Sequence, residues 1–67
     1  MAWSYNGLWK LLIDNEMKKH GLRKKLKIGP ATMAKMSKGE PVSMDVLEKL
    51  CREFDVDVSE IVRFVND

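Results

Sequence analysis

Residues 17–39, with the sequence MKKHGLRKKLKIGPATMAKMSKG, combine two short helical patterns with a concentration of positive charge. This segment holds eight of the twelve basic residues and none of the ten acids, so it carries +8 while the rest of the chain carries −6. A charged segment is often just a solvated helix face, but such faces usually mix signs because opposite charges at i,i+4 stabilise a helix. The segregation therefore points to a polyanionic partner.

Two helices separated by a turn are predicted within this segment. The first covers about residues 20–26 and places Leu22 and Leu26 inward at i and i+4. Pro30 suits the first position of the second helix, with Gly29 as its N-cap. This helix is predicted over residues 30–38 and ends at Gly39, the favoured residue after a helix. Its predicted apolar side consists of Met33, Ala34 and Met36.

Three further helices are predicted around the segment. The first begins near Tyr5 and ends near Glu16 or Met17, and its inward positions are Tyr5, Leu8, Trp9, Leu12 and Ile13. Ser43 caps the fourth, and Asp57 with Glu60 forms a capping-box variant that begins the last, which runs to about Val65. The chain of 67 residues is thus predicted to be one all-α domain, residues 1–67, of five short helices with no strand.

Composition argues against several classes of protein. One cysteine, Cys51, allows no intrachain disulfide, and with one histidine, His20, it cannot complete a four-ligand zinc site. Cys51 lies in the apolar stripe of the fourth helix and is interpreted as a small buried hydrophobe. The chain has no apolar run of membrane-spanning length and no catalytic constellation, so we expect a cytoplasmic protein with no cofactor, no metal and no enzymatic activity.

The order and spacing of these elements resemble the Cro and lambda-repressor-like helix-turn-helix family, especially its very small, stand-alone members. Residues 28–39 are similar to the family's turn and recognition helix, and residues 41–51 are similar to the helix that follows. The resemblance implies that the buried positions locking the helix pair are Leu22, Ile28, Met33 and Met36. Three residues depart from the family pattern: Arg23 where a small residue is usual, Lys27 where glycine is usual, and Gly29 where serine is usual.

The resemblance implies a sequence-specific regulator of transcription, most simply a repressor, that binds double-stranded DNA with the helix at residues 30–38 in the major groove. The residues expected to contact base edges are Pro30, Ala31, Thr32 and Lys35. The residues expected to contact backbone phosphates are Lys18, Lys19, Lys24, Lys25, Lys27 and Lys38.

Two further expectations concern protein partners. Because one subunit reads about half a site, we expect a homodimer, with Phe64 and Val65 or Trp3 as the candidate interface. The alternative function is a protein-interaction module, such as an antitoxin-like or anti-repressor partner, whose acidic residues in the C-terminal half would face a basic protein.

Overall fold

Four α-helices and a two-stranded sheet make up most of residues 2–66, the part of the chain that the computed structural model describes. In chain order the elements are strand β1 (Ala2–Ser4), helices α1 (Asn6–Asp14), α2 (Lys19–Leu26), α3 (Pro30–Ser37) and α4 (Met44–Phe54), a 3-10 turn (Val58–Glu60) and strand β2 (Arg63–Val65). The predicted helices within residues 5–54 are confirmed, with ends that differ by at most three residues. None of the helices within residues 2–66 is long and apolar enough to cross a membrane.

The turn between α2 and α3 depends on one left-handed residue. Lys27 ends α2 with φ 57° and ψ 42°, a conformation that costs a non-glycine residue about 1–2 kcal/mol. This conformation lets the Ile28 N–H donate to the Arg23 carbonyl oxygen at 2.9 Å and directs the Ile28 side chain into the core, where it is buried. Gly29 then takes the N-cap position and Pro30 begins α3, as predicted from the sequence.

The core joins the helix pair to its neighbours. Leu22, Ile28, Met33 and Met36, the positions predicted to lock α2 against α3, are all buried. The other buried hydrophobic residues described by the structure are Tyr5, Leu8, Leu12, Leu47, Leu50 and Ile61. The helices therefore share one core, to which α2 contributes Leu22, the turn contributes Ile28, and α3 contributes Met33 and Met36.

Two inward positions predicted for α1 need correction. Ile13 is 75% exposed, because it lies one residue, or about 100° of helix rotation, beyond the buried Leu12. Trp9 is half-buried and packs against the edge of the core rather than within it. The α1 stripe that reaches the core is therefore narrower than the sequence predicts.

The prediction of a fifth helix and of no strand is wrong. After the 3-10 turn, whose Ser59 N–H donates to the capping Asp57 carboxylate at 3.4 Å, the chain extends into β2. Strand β2 pairs antiparallel with β1, and Trp3 lies opposite Phe64. The aromatic and β-branched residues of β2 favour this extended conformation once a partner strand is present. Met1 and Asp67, the two ends of the predicted domain, lie outside the described residues.

The N-terminal strand is attached to the loop that follows α3. The Trp3 N–H donates to the Gly39 carbonyl oxygen at 3.1 Å, and the Tyr5 hydroxyl donates to the Glu40 carbonyl oxygen at 2.7 Å. Gly39 has φ 75°, and a Cβ at this position would lie 2.7 Å from the Trp3 carbonyl oxygen. Glycine is therefore required here for both its conformation and its lack of a side chain.

We expect Gly7→Ala to destabilise the protein by about 1–3 kcal/mol, as overpacking of a core commonly does. A Cβ on Gly7 would overlap the Glu60 carbonyl oxygen, so α1 would have to move away from the 3-10 turn. The control is Gly21→Ala, because a Cβ on Gly21 meets nothing within 4 Å and alanine favours the α2 helix by about 0.5–1 kcal/mol. Urea unfolding of both variants measures the difference, and equal effects would contradict the close packing.

Candidate nucleic-acid interface

The outward face of α3 is a stripe of small and basic side chains. Ala31, Ala34, Lys35 and Lys38 are all exposed, and their i, i+3, i+4, i+7 spacing places them on one side of the helix. Met33 and Met36 lie on the other side, in the core. The prediction that Ala34 belongs with these two methionines is wrong, because position 34 is one helical turn from Ala31 and Lys38.

The four predicted base-contact residues differ in exposure. Pro30, Ala31 and Lys35 are exposed, whereas Thr32 is half-buried. Small residues at positions 31 and 34 leave the helix backbone close to the molecular surface, so this face can approach a partner closely. Sequence reasoning missed Ala34 as a member of the stripe, although its spacing from Ala31 was a sufficient signal.

All six predicted phosphate-contact lysines are exposed, but they lie on different sides of the helix pair. Lys18 precedes α2 and Lys19 is its first residue. The Lys19 ammonium lies 3.4 Å from the Ser37 hydroxyl oxygen, which places the beginning of α2 beside the end of α3 and its C-cap, Lys38. Lys24 is on the outer surface of α2.

Lys25 lies on the side of α2 that faces α4. Its ammonium forms an ion pair with the Glu53 carboxylate at 2.6 Å, and Glu53 is the more buried partner. An open groove between α2 and α4 contains both residues, together with Leu26, Lys27, Lys49 and Arg52. Sequence reasoning did not associate Lys49 and Arg52 with this basic surface, because they are more than twenty residues distant in the chain. Arg52 also pairs with Glu48 at 3.0 Å within α4.

The Lys19 ammonium has a second neighbour on α1. It lies 4.2 Å from the centre of the Trp9 ring, within the range of a cation–π interaction. Lys19 therefore contacts side chains of both α1 and α3, although it belongs to α2. No local pattern in the sequence connects these three positions, which are separated by ten and eighteen residues.

Two residues that stood out in the sequence have environments that bear on their chemistry. Arg23 is half-buried, so this long side chain is accommodated beside the helix pair without being enclosed in the core. Cys51 is half-buried, and burial raises the pKa of its thiol, with smaller contributions from the Asp57 and Glu48 carboxylates. The thiol is therefore a poor nucleophile at neutral pH. Among residues 2–66, no group of three or more potential ligands could hold a metal ion.

Comparison with known proteins agrees with this geometry. The family described as Cro/C1-type HTH (helix-turn-helix) DNA-binding domain matches residues 7–67. The crystal structure of the transcriptional regulator VanUg, Form II, superposes with a TM-score of 0.93 at 41% sequence identity, covering 98% of this chain and 88% of that chain. A search of curated proteins found no match. This chain therefore belongs to the Cro/C1-type helix-turn-helix DNA-binding domain family.

Proposed function

We propose that this protein is a transcriptional regulator that binds specific sequences of double-stranded DNA and acts as a repressor. The observation that carries the proposal is the exposed, small and basic stripe of α3, with the exposed Lys19 of α2 beside the end of that helix. Membership of a DNA-binding domain family supports it, as does the similarity to a structure described as a transcriptional regulator. The simplest mechanism of repression is that the bound domain excludes other proteins from the same DNA.

In this proposal α3 lies in the major groove. The methyl groups of Ala31 and Ala34 would pack on thymine methyl groups, and Lys35 would donate to the O6 and N7 atoms of guanine. Pro30 would lie where the helix enters the groove. Thr32 is half-buried, so we place it at the edge of the contact, where its hydroxyl would reach a base or a phosphate.

The lysines around α3 would bind the two phosphate backbones that border the groove. Lys18, Lys19 and Lys38 would contact the backbone beside the end of α3, and Lys24 and Lys27 would contact backbone farther along α2. Lys25 would contribute less, because the Glu53 carboxylate at 2.6 Å already offsets its charge. These contacts fix the register of the helix but carry no sequence information.

Binding should weaken steeply with salt. If roughly four phosphates are neutralised per subunit, log K plotted against log salt concentration should have a slope of about −4 for each subunit bound. Fluorescence anisotropy with a labelled duplex at several salt concentrations measures it. An affinity independent of salt would contradict the proposal, and no binding to any duplex at low salt would favour the protein-interaction module instead.

Lys35→Ala and Lys24→Ala form a matched pair, because both remove one exposed lysine from a helix. Lys35→Ala should change which sequences are preferred, since a good lysine–guanine contact discriminates by about 1–3 kcal/mol. Lys24→Ala should weaken binding to all sequences alike and reduce the salt slope by about 1. Selection of bound sequences from a random duplex pool compares them, and unchanged preferences for both variants would contradict base reading by Lys35.

We also propose that the protein acts as a homodimer, because one recognition helix reads about half a site. The candidate interface is the β1–β2 sheet, where Trp3 and Phe64 lie opposite each other with ring centres 5.0 Å apart. They are 38% and 51% exposed, and the adjacent Val65 is 43% exposed. Burying such side chains against a second copy would remove apolar surface from water.

Sedimentation equilibrium at tens of micromolar should give twice the chain mass of 7.7 kDa. Phe64→Ser should shift the mass toward that of one chain, because it removes apolar surface from the interface. Ile13→Ser is the control, since Ile13 is 75% exposed on α1 and lies outside the sheet. A wild-type mass of one chain, or an equal effect of both substitutions, would contradict this interface.

A further inference from the structure

Side chains from three helices meet at the Lys19 ammonium. The Trp9 ring of α1 lies below it at 4.2 Å, and the Ser37 hydroxyl of α3 lies at 3.4 Å, the long end of a hydrogen bond. Trp9 is itself fixed, because it packs against the core and lies with its ring centre 6.5 Å from that of Tyr5. An exposed lysine normally samples many rotamers, so these contacts restrict Lys19 to a small part of its range.

We propose that Trp9, Lys19 and Ser37 form a preorganised seat for one phosphodiester group of the DNA backbone. This inference rests on the proposed function and names a particular contact within it. An ammonium has three N–H donors. With one donor directed at Ser37 and one at the ring, one remains for a phosphate oxygen, and the Ser37 hydroxyl can donate its own proton to the same group. Lys19 and Ser37 bind the phosphate, and Trp9 is a positioning residue that acts through Lys19.

The chemistry of the neighbours distinguishes Lys19 from Lys25. Lys25 is held by a carboxylate, which orders the side chain but offsets its charge. Lys19 is held by an indole ring and a hydroxyl, both uncharged, so it is ordered while its full positive charge remains available. A preordered cation loses less conformational entropy when a phosphate binds, and this increases affinity without an additional contact.

The seat also connects the two helices of the motif. Lys19 is the first residue of α2 and Ser37 is the last residue of α3. A phosphate bound by both would fix the end of α3 against the backbone while its exposed stripe lies in the groove. The seat would therefore contribute to affinity equally on every sequence, because each nucleotide offers the same phosphate.

A double-mutant cycle tests the proposal with a labelled random-sequence duplex of about 20 base pairs, long enough for two half-sites. Lys19→Met should reduce the salt slope by about 0.9 for each subunit bound, the value for one phosphate per subunit. Trp9→Leu should weaken binding about 2- to 12-fold, because binding would then have to immobilise a freely rotating Lys19 side chain. In the Lys19→Met background, Trp9→Leu should cause no further loss, because Trp9 acts only through Lys19. Trp9→Phe should retain most of the affinity, since its ring can still accept the cation.

Additive losses from Trp9→Leu and Lys19→Met would overturn the seat. A wild-type salt slope near −4 for each subunit bound in the same data set would leave the proposed function intact, whereas absence of wild-type binding would overturn both. Ser37→Ala provides a second cycle with Lys19→Met, should Trp9→Leu reduce the folded fraction measured by urea unfolding. Because Ser37 contacts Lys19, Ser37→Ala should cost less affinity in the Lys19→Met background than in the wild type, and equal losses would overturn the seat. NMR of the free protein gives a test without DNA. The Lys19 Hε protons should show an upfield ring-current shift that Lys24 lacks, and absence of that shift would also overturn the proposal.

Discussion

Burial of Leu22, Ile28, Met33 and Met36 is the constraint on which the rest of this structure depends. Each is at most 8% exposed, and together they hold α2 and α3 at a fixed crossing through the turn at Lys27. Because Met33 and Met36 are directed into the core, the opposite side of α3 is directed into solvent. The outward position of the stripe that we propose reads DNA is therefore a geometric consequence of the core. Because the residues of the stripe are exposed, their identities are not set by the packing of α2 against α3.

Positive charge on this small domain is used in three different ways. Lys25 contributes to folding, because its ion pair with Glu53 bridges α2 and α4. Lys19 remains charged while uncharged groups hold it in place. Lys35 and Lys38 project from α3, where the residues of the outward stripe include no acid to offset them. Like charges on one surface oppose folding, so part of the free energy of binding a polyanion would come from relief of this repulsion.

The parts of the fold predicted correctly are those with a local signal. Gly29 and Pro30 begin α3, and Ser43 caps α4 by accepting the Val46 N–H at 3.3 Å, because these residue types act within one helical turn. The sheet was missed because β1 and β2 are some sixty residues apart, and neither is a recognisable strand alone. The same difference between local and long-range signals applies to the candidate nucleic-acid interface. Helical spacing predicted most of the α3 stripe, whereas the pairing of Lys25 with Glu53 and of Lys19 with Trp9 depends on tertiary packing.

The sheet has a second consequence, because it is attached to the chain immediately after the proposed recognition helix. Trp3 pairs with Phe64 across the sheet, and its backbone N–H is bonded to Gly39, two residues beyond the end of α3. In the proposed dimer, the subunit contact and the recognition helix would therefore be joined by one rigid connection. The longest dimension of the chain is 32 Å, close to the roughly 34 Å between half-site centres one turn of DNA apart. Two copies of this size can span adjacent half-sites, and a rigid link would transmit any change in the subunit contact to the separation of the two α3 helices.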